Sequence, residues 1–193
     1  MKRMLYQDWD IELRGCRIRI TPMRAEDDPA YGRLLLGETY DRFTEVLEPE
    51  TVSGIRSILN HTENAETHAL RLLDDDAFIG WIVLQKDPKG RPDIGISLVE
   101  EYRNQGLGPE AVILFANRLY SEYGIDRIYM RISENNLQSQ KAFFRMGVVL
   151  DKREPDYRMT GIMGAFPEGL KPDVVVPDLL FVHLNLPVGE DAK

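Results

Sequence analysis

Length, composition and charge restrict what this chain can be. It has 193 residues, of which 43% are hydrophobic and 29% charged, as is typical of a globular protein built as one domain. The formal net charge of −8 argues against nucleic acid as the main partner. No apolar run reaches the roughly 18 residues of a membrane span, and the charged N-terminus lacks the apolar core of a secretion signal. Cys16 is the only cysteine, which excludes an internal disulfide and a cysteine-rich zinc site.

Apolar periodicity and turn residues divide the chain into strands and helices. Strands are predicted at residues 16–20, 67–73, 78–84, 93–99, 127–132, 148–150 and 179–186. Helices are predicted at residues 30–40, 51–60, 109–123 and 137–146. A long proline-rich segment separates the last two strands, and loops of this length are often functional.

This order of elements predicts a mixed α/β (α+β) fold around one central sheet. We expect a single domain over residues 1–193, with a core from about residue 16 to residue 186. Residues 1–12 and 188–193 would then be flexible or peripheral ends. The composition also leads us to expect a cytoplasmic protein with no membrane partner.

The most informative segment is a glycine-rich turn between a predicted strand and a predicted helix. It reads Y-R-N-Q-G-L-G-P-E over residues 102–110, so that Arg103, Gly106 and Gly108 are spaced R-x-x-G-x-G. Glycines let the backbone take positive φ and approach a ligand closely, and Pro109 suits the first turn of a helix. The N–H groups of residues 104–108 could bind a phosphate-bearing ligand, with Arg103 and Gln105 as further donors. The alternative is a turn that merely caps the helix.

A second motif follows about 30 residues later and favours the ligand-binding interpretation. Asn136, Ser139, Phe143 and Gly147 are spaced N-x-x-S-x-x-x-F-x-x-x-G. In this order, the two motifs resemble those of the GNAT superfamily of acyl-CoA-dependent N-acetyltransferases, and the order of elements from residue 16 to residue 186 is similar to that family as well. Within the family, the chain looks closest to the branch that includes ribosomal-protein N-terminal acetyltransferases.

The resemblance implies a GNAT-like fold with acetyl-CoA as cosubstrate and no metal. The central sheet would be mixed and mostly antiparallel, with about six to seven strands and about four flanking helices. The glycine turn would hold the pyrophosphate, the strand before it would bond the pantetheine arm through its backbone, and the second motif would lie along that arm. The cofactor-binding residues assigned in this way are Ile96, Ser97, Leu98, Arg103, Asn104, Gln105, Gly106, Leu107, Gly108, Pro109, Asn136, Ser139 and Phe143.

The same resemblance implies direct attack of an amine on the thioester, with a backbone N–H near Leu98 as the oxyanion donor. Two positions depart from the family pattern. Phe143 stands where a tyrosine acid is frequent, so Ser139 is our candidate acid; the alternative is that its hydroxyl only bonds backbone or ligand. Arg131 stands where some members carry a glutamate base, so Asp93 and Glu134 are our candidate bases. The alternative for both is a turn carboxylate in water.

The leading hypothesis is therefore an N-acetyltransferase that acts on a primary amine: a protein N-terminus, a polyamine, an amino sugar or a small metabolite. The acceptor would lie near the N-terminal helices and the proline-rich loop. Two other functions stay open, a non-catalytic acyl-CoA-binding or regulatory module and an unrelated α/β nucleotide-binding domain. The three histidines have no metal-ligand spacing, and a homodimer is left open.

Overall fold

The computed structural model describes residues 12–27, 30–34, 66–87, 89–156 and 177–188. The predicted helix at residues 51–60, most of the predicted helix at residues 30–40 and nearly all of the proline-rich segment lie outside these residues. The parts of the chain that carry the two motifs are described throughout.

One eight-stranded sheet forms the centre of the fold. In spatial order the strands run β1-β2-β3-β4-β5-β6-β8-β7. Every neighbouring pair is antiparallel except β5 and β6, which are parallel. The strands are β1 (Leu13–Arg14), β2 (Ile18–Pro22), β3 (Glu66–Leu72), β4 (Phe78–Lys86), β5 (Pro92–Leu98), β6 (Arg127–Ser133), β7 (Val149–Pro155) and β8 (Asp178–Asn185).

The predicted mixed, mostly antiparallel sheet is confirmed, but the predicted strand number of six to seven is too low. The strand that sequence periodicity missed is β1, whose two residues pair with β2 as a hairpin. Two residues are too few to show an alternating pattern. Strand β7 extends well beyond residues 148–150, where it was predicted to begin. Its seven residues carry no apolar alternation, so periodicity did not indicate where the strand ends.

Two of the predicted helices are described in full, α1 (Leu107–Tyr123) and α2 (Leu137–Arg145). Residues 30–34 are helical as well, and short 3₁₀ helices cover Ala25–Asp27 and Glu100–Tyr102. Within the described ranges, no helix combines the length and the apolar character that a membrane crossing requires. Helix α1 ends where Gly124 takes a left-handed conformation with φ 63°, as is common at the C-terminus of a helix.

The hydrophobic core joins the sheet to α1. The apolar stripe predicted for α1 is fully buried, and it belongs to the same cluster as the inward-facing residues of β6. The α1 residues of this stripe are Val112, Phe115, Ala116 and Leu119, and those of β6 are Ile128, Met130 and Ile132. The apolar face of α1, which repeats every 3.6 residues, therefore packs in one core with the apolar face of β6, which repeats every two residues. This packing fixes α1 against the sheet.

A buried ion pair ties the segment before residue 30 to the sheet. The Arg71 Nη2 atom of β3 donates to Asp27 Oδ1 at 2.7 Å, and both residues are no more than 3% exposed. Asp76, which follows the turn after β3, pairs with Arg19 and Arg24. The hydrogen bond from Arg24 is the largest cause of a lowered pKa for the Asp76 carboxyl group.

Strand β5 pairs extensively with its neighbour on one edge and very little with its neighbour on the other. It pairs with β4 along its whole length, from Gly80↔Leu98 to Lys86↔Pro92, whereas its register with β6 consists of Asp93↔Tyr129 alone. Gly80 permits the tight edge: its φ is +154°, and a Cβ atom there would lie 2.1 Å from the carbonyl oxygen of Ser97. The two parallel strands consequently part toward the end of β5 that leads into the glycine turn.

We expect Gly80→Ala to destabilise the fold by at least about 3 kcal/mol, because the new methyl group collides with backbone that cannot move without breaking the β4–β5 pairing. Gly90→Ala is the matched control: its φ is also positive, at +75°, but no described heavy atom lies within 4 Å of the added Cβ. The control should cost only about 1–2 kcal/mol of backbone strain. Urea unfolding measures both variants, and equal losses would contradict the close approach of β4 to β5.

Candidate functional site

A cavity of about 1350 Å³ opens where β5 and β6 part. Its walls are the end of β5, the glycine turn, the first half of α1, and α2. Every residue assigned to the cofactor from the sequence lines it except Gln105. The structure therefore brings the two motifs together around one volume.

The glycine turn enters α1 without any side-chain cap. Gly106 is the N-cap residue in a left-handed conformation with φ 77°, and as a glycine it has no side chain to accept a hydrogen bond from the first turn. The N–H groups of Leu107 and Gly108 have no partner within the helix, because the first turn of any helix leaves them unpaired. Asn104 also takes positive φ, at 61°. The turn thus offers donors at the positive end of the helix dipole.

Two of the polar side chains of the turn bond back to the chain. Arg103 Nε donates to the carbonyl oxygen of Leu98 at 2.8 Å, which ties the turn to the end of β5. Gln105 Nε2 donates to the carbonyl oxygen of Glu101 at 2.7 Å. The side chain of Gln105 is therefore engaged outside the cavity wall, and its role as a donor to the ligand stays a prediction.

Cationic side chains dominate the cavity wall, although the chain as a whole is acidic. Five of them line the cavity, against one carboxylate, that of Glu110. Sequence reasoning had assigned only Arg103 of this set, because two of the other four lie outside both motifs and two stand at positions that the spacing of the second motif leaves unspecified. The five are Arg14, Arg17, Arg103, Lys141 and Arg145. Such a local excess of positive charge attracts a ligand that carries several negative charges.

Helix α2 presents the second motif to the cavity. Asn136 caps the helix by accepting a hydrogen bond on Oδ1 from the backbone N–H of Ser139, at 3.0 Å. This leaves the Asn136 amide NH₂ and the Ser139 hydroxyl on the cavity wall. Phe143 lies one turn later, 6% exposed, and belongs to both the wall and the core.

The end of β5 supplies an unsatisfied hydroxyl at the same place. Ser97 is 3% exposed, and its Oγ atom is buried with no hydrogen-bond partner in the described part of the chain. A buried polar group without a partner costs free energy. Together with the unpaired strand edge, this hydroxyl makes the end of β5 suited to a ligand that carries hydrogen-bonding groups along an extended arm.

Comparison with known proteins identifies the family. A family model described as an acetyltransferase (GNAT) domain matches residues 17–149. The chain belongs to the GNAT acetyltransferases. No match was found among curated proteins, so the remaining comparisons are with solved structures.

Many solved structures share this GNAT fold. A GNAT-family acetyltransferase from Bacillus anthracis matches 91% of this chain and 98% of its own, with a TM-score of 0.63 and 17% identity. For Mycobacterium smegmatis RimJ in complex with CoA-disulfide, the match covers 92% of this chain and 88% of that chain, with a TM-score of 0.63 and 16% identity. For the ribosomal-protein-S5-alanine acetyltransferase from Vibrio fischeri, the match covers 95% of this chain and 100% of that chain, with a TM-score of 0.60 and 15% identity. At these identities the likeness shows the fold.

The candidate base Asp93 is buried in this GNAT fold. It is 2% exposed, accepts a hydrogen bond from Gln85 Nε2 at 2.9 Å, and pairs with Arg131 Nη2 at 2.7 Å. The alternative expectation of a turn carboxylate in water is therefore wrong for Asp93. Arg131, the residue that replaces the glutamate of other GNAT members, thus neutralises the first candidate base.

Glu134, the second candidate base, supports the end of the sheet. Its Oε1 atom accepts a hydrogen bond from the backbone N–H of Asp178 at 2.9 Å, and its Oε2 atom lies 3.8 Å from Arg153 Nη1. Neither Glu134 nor Asp93 lines the cavity that holds the two motifs. Both stay predictions as catalytic residues.

Metal ligands do not gather near this site in the described ranges, where no group of three or more His, Cys, Asp or Glu side chains could hold an ion. His68 is buried against Phe115, and burial lowers its pKa to about 4. The ring Nδ1 atom of His183 lies 2.7 Å from Asp151 Oδ1. His61 lies outside the described residues.

We expect Asp93→Asn to lower the free energy of unfolding by about 3 kcal/mol or more, because it replaces the buried carboxylate that pairs with the Arg131 guanidinium, whose side chain is only 11% exposed. A surface pair provides the control: Glu122→Gln, which breaks the half-exposed pair with Arg118, should cost less than about 1 kcal/mol. Urea unfolding gives both values. If Asp93→Asn is as stable as the original chain but turns over far more slowly, Asp93 acts as a base rather than as a structural partner.

Proposed function

We propose that this acetyltransferase moves an acetyl group from acetyl-CoA to a primary amine by direct attack within a ternary complex. The observation that carries the proposal is the convergence of both motifs on one cation-rich cavity beside an open strand edge. The whole chain, residues 1–193, would act as a single acetyltransferase domain. A cytoplasmic location stays a prediction, and a homodimer stays open.

The cavity offers a place for each part of acetyl-CoA. The uncapped N–H groups at Gly106–Gly108 would bind the diphosphate, because a helix N-terminus stabilises negative charge. The pantetheine arm would run along the open edge of β5 at residues 96–98, where its amides could pair with the backbone like an added strand. Asn136 and Phe143 would contact the arm from the α2 side. Acetyl-CoA is the acyl donor that the GNAT family implies, and the solved RimJ structure holds a CoA species.

The reaction needs no nucleophilic side chain. It needs a proton acceptor for the amine, hydrogen-bond donors for the developing oxyanion and a proton donor for the departing sulfur. The acceptor amine attacks the thioester carbon and must lose a proton, to a water molecule or to one of the candidate bases. The backbone N–H near Leu98 would stabilise the negative charge that develops on the thioester oxygen. When the C–S bond breaks, the departing sulfur needs a proton, which the Ser139 hydroxyl would donate directly or relay through water while it regains a proton from solvent. Phe143 cannot take this role because its ring carries no acidic proton.

The acceptor would lie near the N-terminal helices and the proline-rich loop, most of which falls outside the described residues. Its identity is therefore a matter for experiment. The S5-alanine acetyltransferase fold of Vibrio fischeri makes a protein N-terminus, which offers a single amine, the first acceptor to test. Polyamines, amino sugars and small metabolites are the further candidates.

The function is tested by measuring CoA release from acetyl-CoA with a panel of peptides, amino sugars, polyamines and small amines. We expect turnover with at least one single-amine acceptor and none without an amine. Tight CoA binding with no turnover across the panel would favour the non-catalytic alternative. Stabilisation by ATP or NAD but not by CoA would favour an unrelated nucleotide-binding domain.

We expect Gly108→Asp to weaken CoA binding by about 100-fold or more, because the new carboxylate would lie where the diphosphate is expected. Gly108→Ala is the matched control. Its Cβ would make ordinary contacts, 3.7 Å from Leu98 Cδ1 and 4.0 Å from Ile96 Cδ1, so affinity should stay close to that of the original chain. Calorimetric titration with CoA measures both variants. Equal affinity of the aspartate and alanine variants would refute this turn as the diphosphate site.

We expect Ser139→Ala to lower kcat by about tenfold or more while the KM for acetyl-CoA changes little, because a proton donor acts on the transition state rather than on ground-state binding. Ser121→Ala on the exposed side of α1, where the hydroxyl bonds only the Arg118 carbonyl, should leave both constants in place. Steady-state kinetics decides the matter. A normal kcat for Ser139→Ala would remove this hydroxyl from the mechanism.

A further inference from the structure

A group of contacts outside both motifs surrounds the glycine turn. Glu110, in the first turns of α1, accepts the backbone N–H groups of Cys16 and Arg17 on Oε1, each at 2.8 Å. Its Oε2 atom accepts a hydrogen bond from Arg17 Nε at 2.9 Å. One carboxylate therefore holds the β1–β2 turn through three hydrogen bonds across more than ninety residues of sequence.

The same arginine reaches the glycine turn itself. Arg17 Nη1 donates to the carbonyl oxygen of Gln105 at 2.7 Å. In a planar trans peptide the carbonyl of residue 105 and the N–H of residue 106 point in opposite directions. The bond from Arg17 therefore fixes the orientation of the Gly106 N–H, at the point where the unpaired donors of helix α1 begin.

The remaining nitrogen of Arg17 lies at the mouth of the turn. Its Nη2 atom is 3.4 Å from the position that a Cβ on Gly106 would occupy. The side chain is 52% exposed and lines the cavity. A guanidinium with two of its nitrogens already held in place presents the third with little loss of side-chain entropy, which suits it to a phosphate oxygen.

We propose that Arg17, oriented by Glu110, is a positioning residue of the cofactor site: it sets the direction of the turn amides and offers Nη2 to the diphosphate. The inference rests on the proposed function, since it takes the glycine turn as the site of acetyl-CoA. It adds a role for the β1–β2 turn, which neither motif includes. The geometry of the fork, rather than the charge alone, is what the role requires.

The test separates geometry from charge. Arg17→Gln should weaken CoA binding by about 10- to 100-fold, the size expected for losing hydrogen bonds that involve a charged group. Arg17→Lys should be nearly as weak, because an ammonium keeps the charge but cannot make the Glu110 and Gln105 bonds together. Arg14→Gln removes an equal charge from the same cavity wall and should cost no more than about threefold. Calorimetric titration with CoA measures all three.

Steady-state kinetics adds a readout that a purely structural role would not produce. The KM for acetyl-CoA should rise in Arg17→Gln, while kcat and the KM for the acceptor change little. Glu110→Gln keeps an oxygen for the two backbone N–H groups but loses the pairing with Arg17 Nε, so it should reproduce part of the effect. It also keeps the test available if Arg17→Gln does not fold.

Two results would overturn the inference: Arg17→Lys binding CoA as tightly as the original chain, or Arg14→Gln losing as much affinity as Arg17→Gln. Unchanged affinity in both Arg17→Gln and Glu110→Gln would overturn it as well. A failure of the proposed function looks different, because the original chain would then bind no CoA at all.

Discussion

The site depends on the unequal pairing of strand β5 with its two neighbours in the sheet. Strand β5 is paired with β4 along seven register positions but with β6 at one, Asp93↔Tyr129. Backbone N–H and C=O groups at a strand edge need partners, so the parting of β5 and β6 leaves a row of groups for an extended ligand to bond. Gly80 lets β4 hold β5 from the other side. Without that close approach, the open edge would have no fixed position relative to the glycine turn.

Charge is distributed to match this geometry. The chain carries a net charge of −8, yet five cationic side chains and one carboxylate line the cavity, and that carboxylate is bonded to Arg17. Outside this cavity, Asp27 pairs with Arg71 and Asp93 pairs with Arg131. The cluster of cationic side chains at the cavity favours a ligand that carries several negative charges.

Local patterns predicted local features well. The periodicity of α1, the hairpins of β3, β4 and β5, and the resemblance of the two motifs to GNAT acetyltransferases all followed from residues close together in sequence. What escaped prediction was set by distant partners. Asp93 was considered as a catalytic base or as a turn carboxylate in water, but it is buried and pairs with Arg131, 38 residues away. The Arg17–Glu110 contact joins residues 93 apart; Arg17 belongs to no motif, and Glu110 follows the R-x-x-G-x-G positions. Periodicity reports which face of an element is buried, whereas it carries no information on which distant charges meet there.

The proposed function requires that the amides at Gly106–Gly108 and the open edge of β5 together bind the acyl carrier. A crystal structure of the protein with CoA shows whether they do. We expect diphosphate oxygens within hydrogen-bonding distance of these amides and of Arg17 Nη2, with the pantetheine arm beside residues 96–98 and its thiol near Ser139. A carrier bound elsewhere, or a turn filled by the protein's own side chains in that crystal, would refute this binding mode.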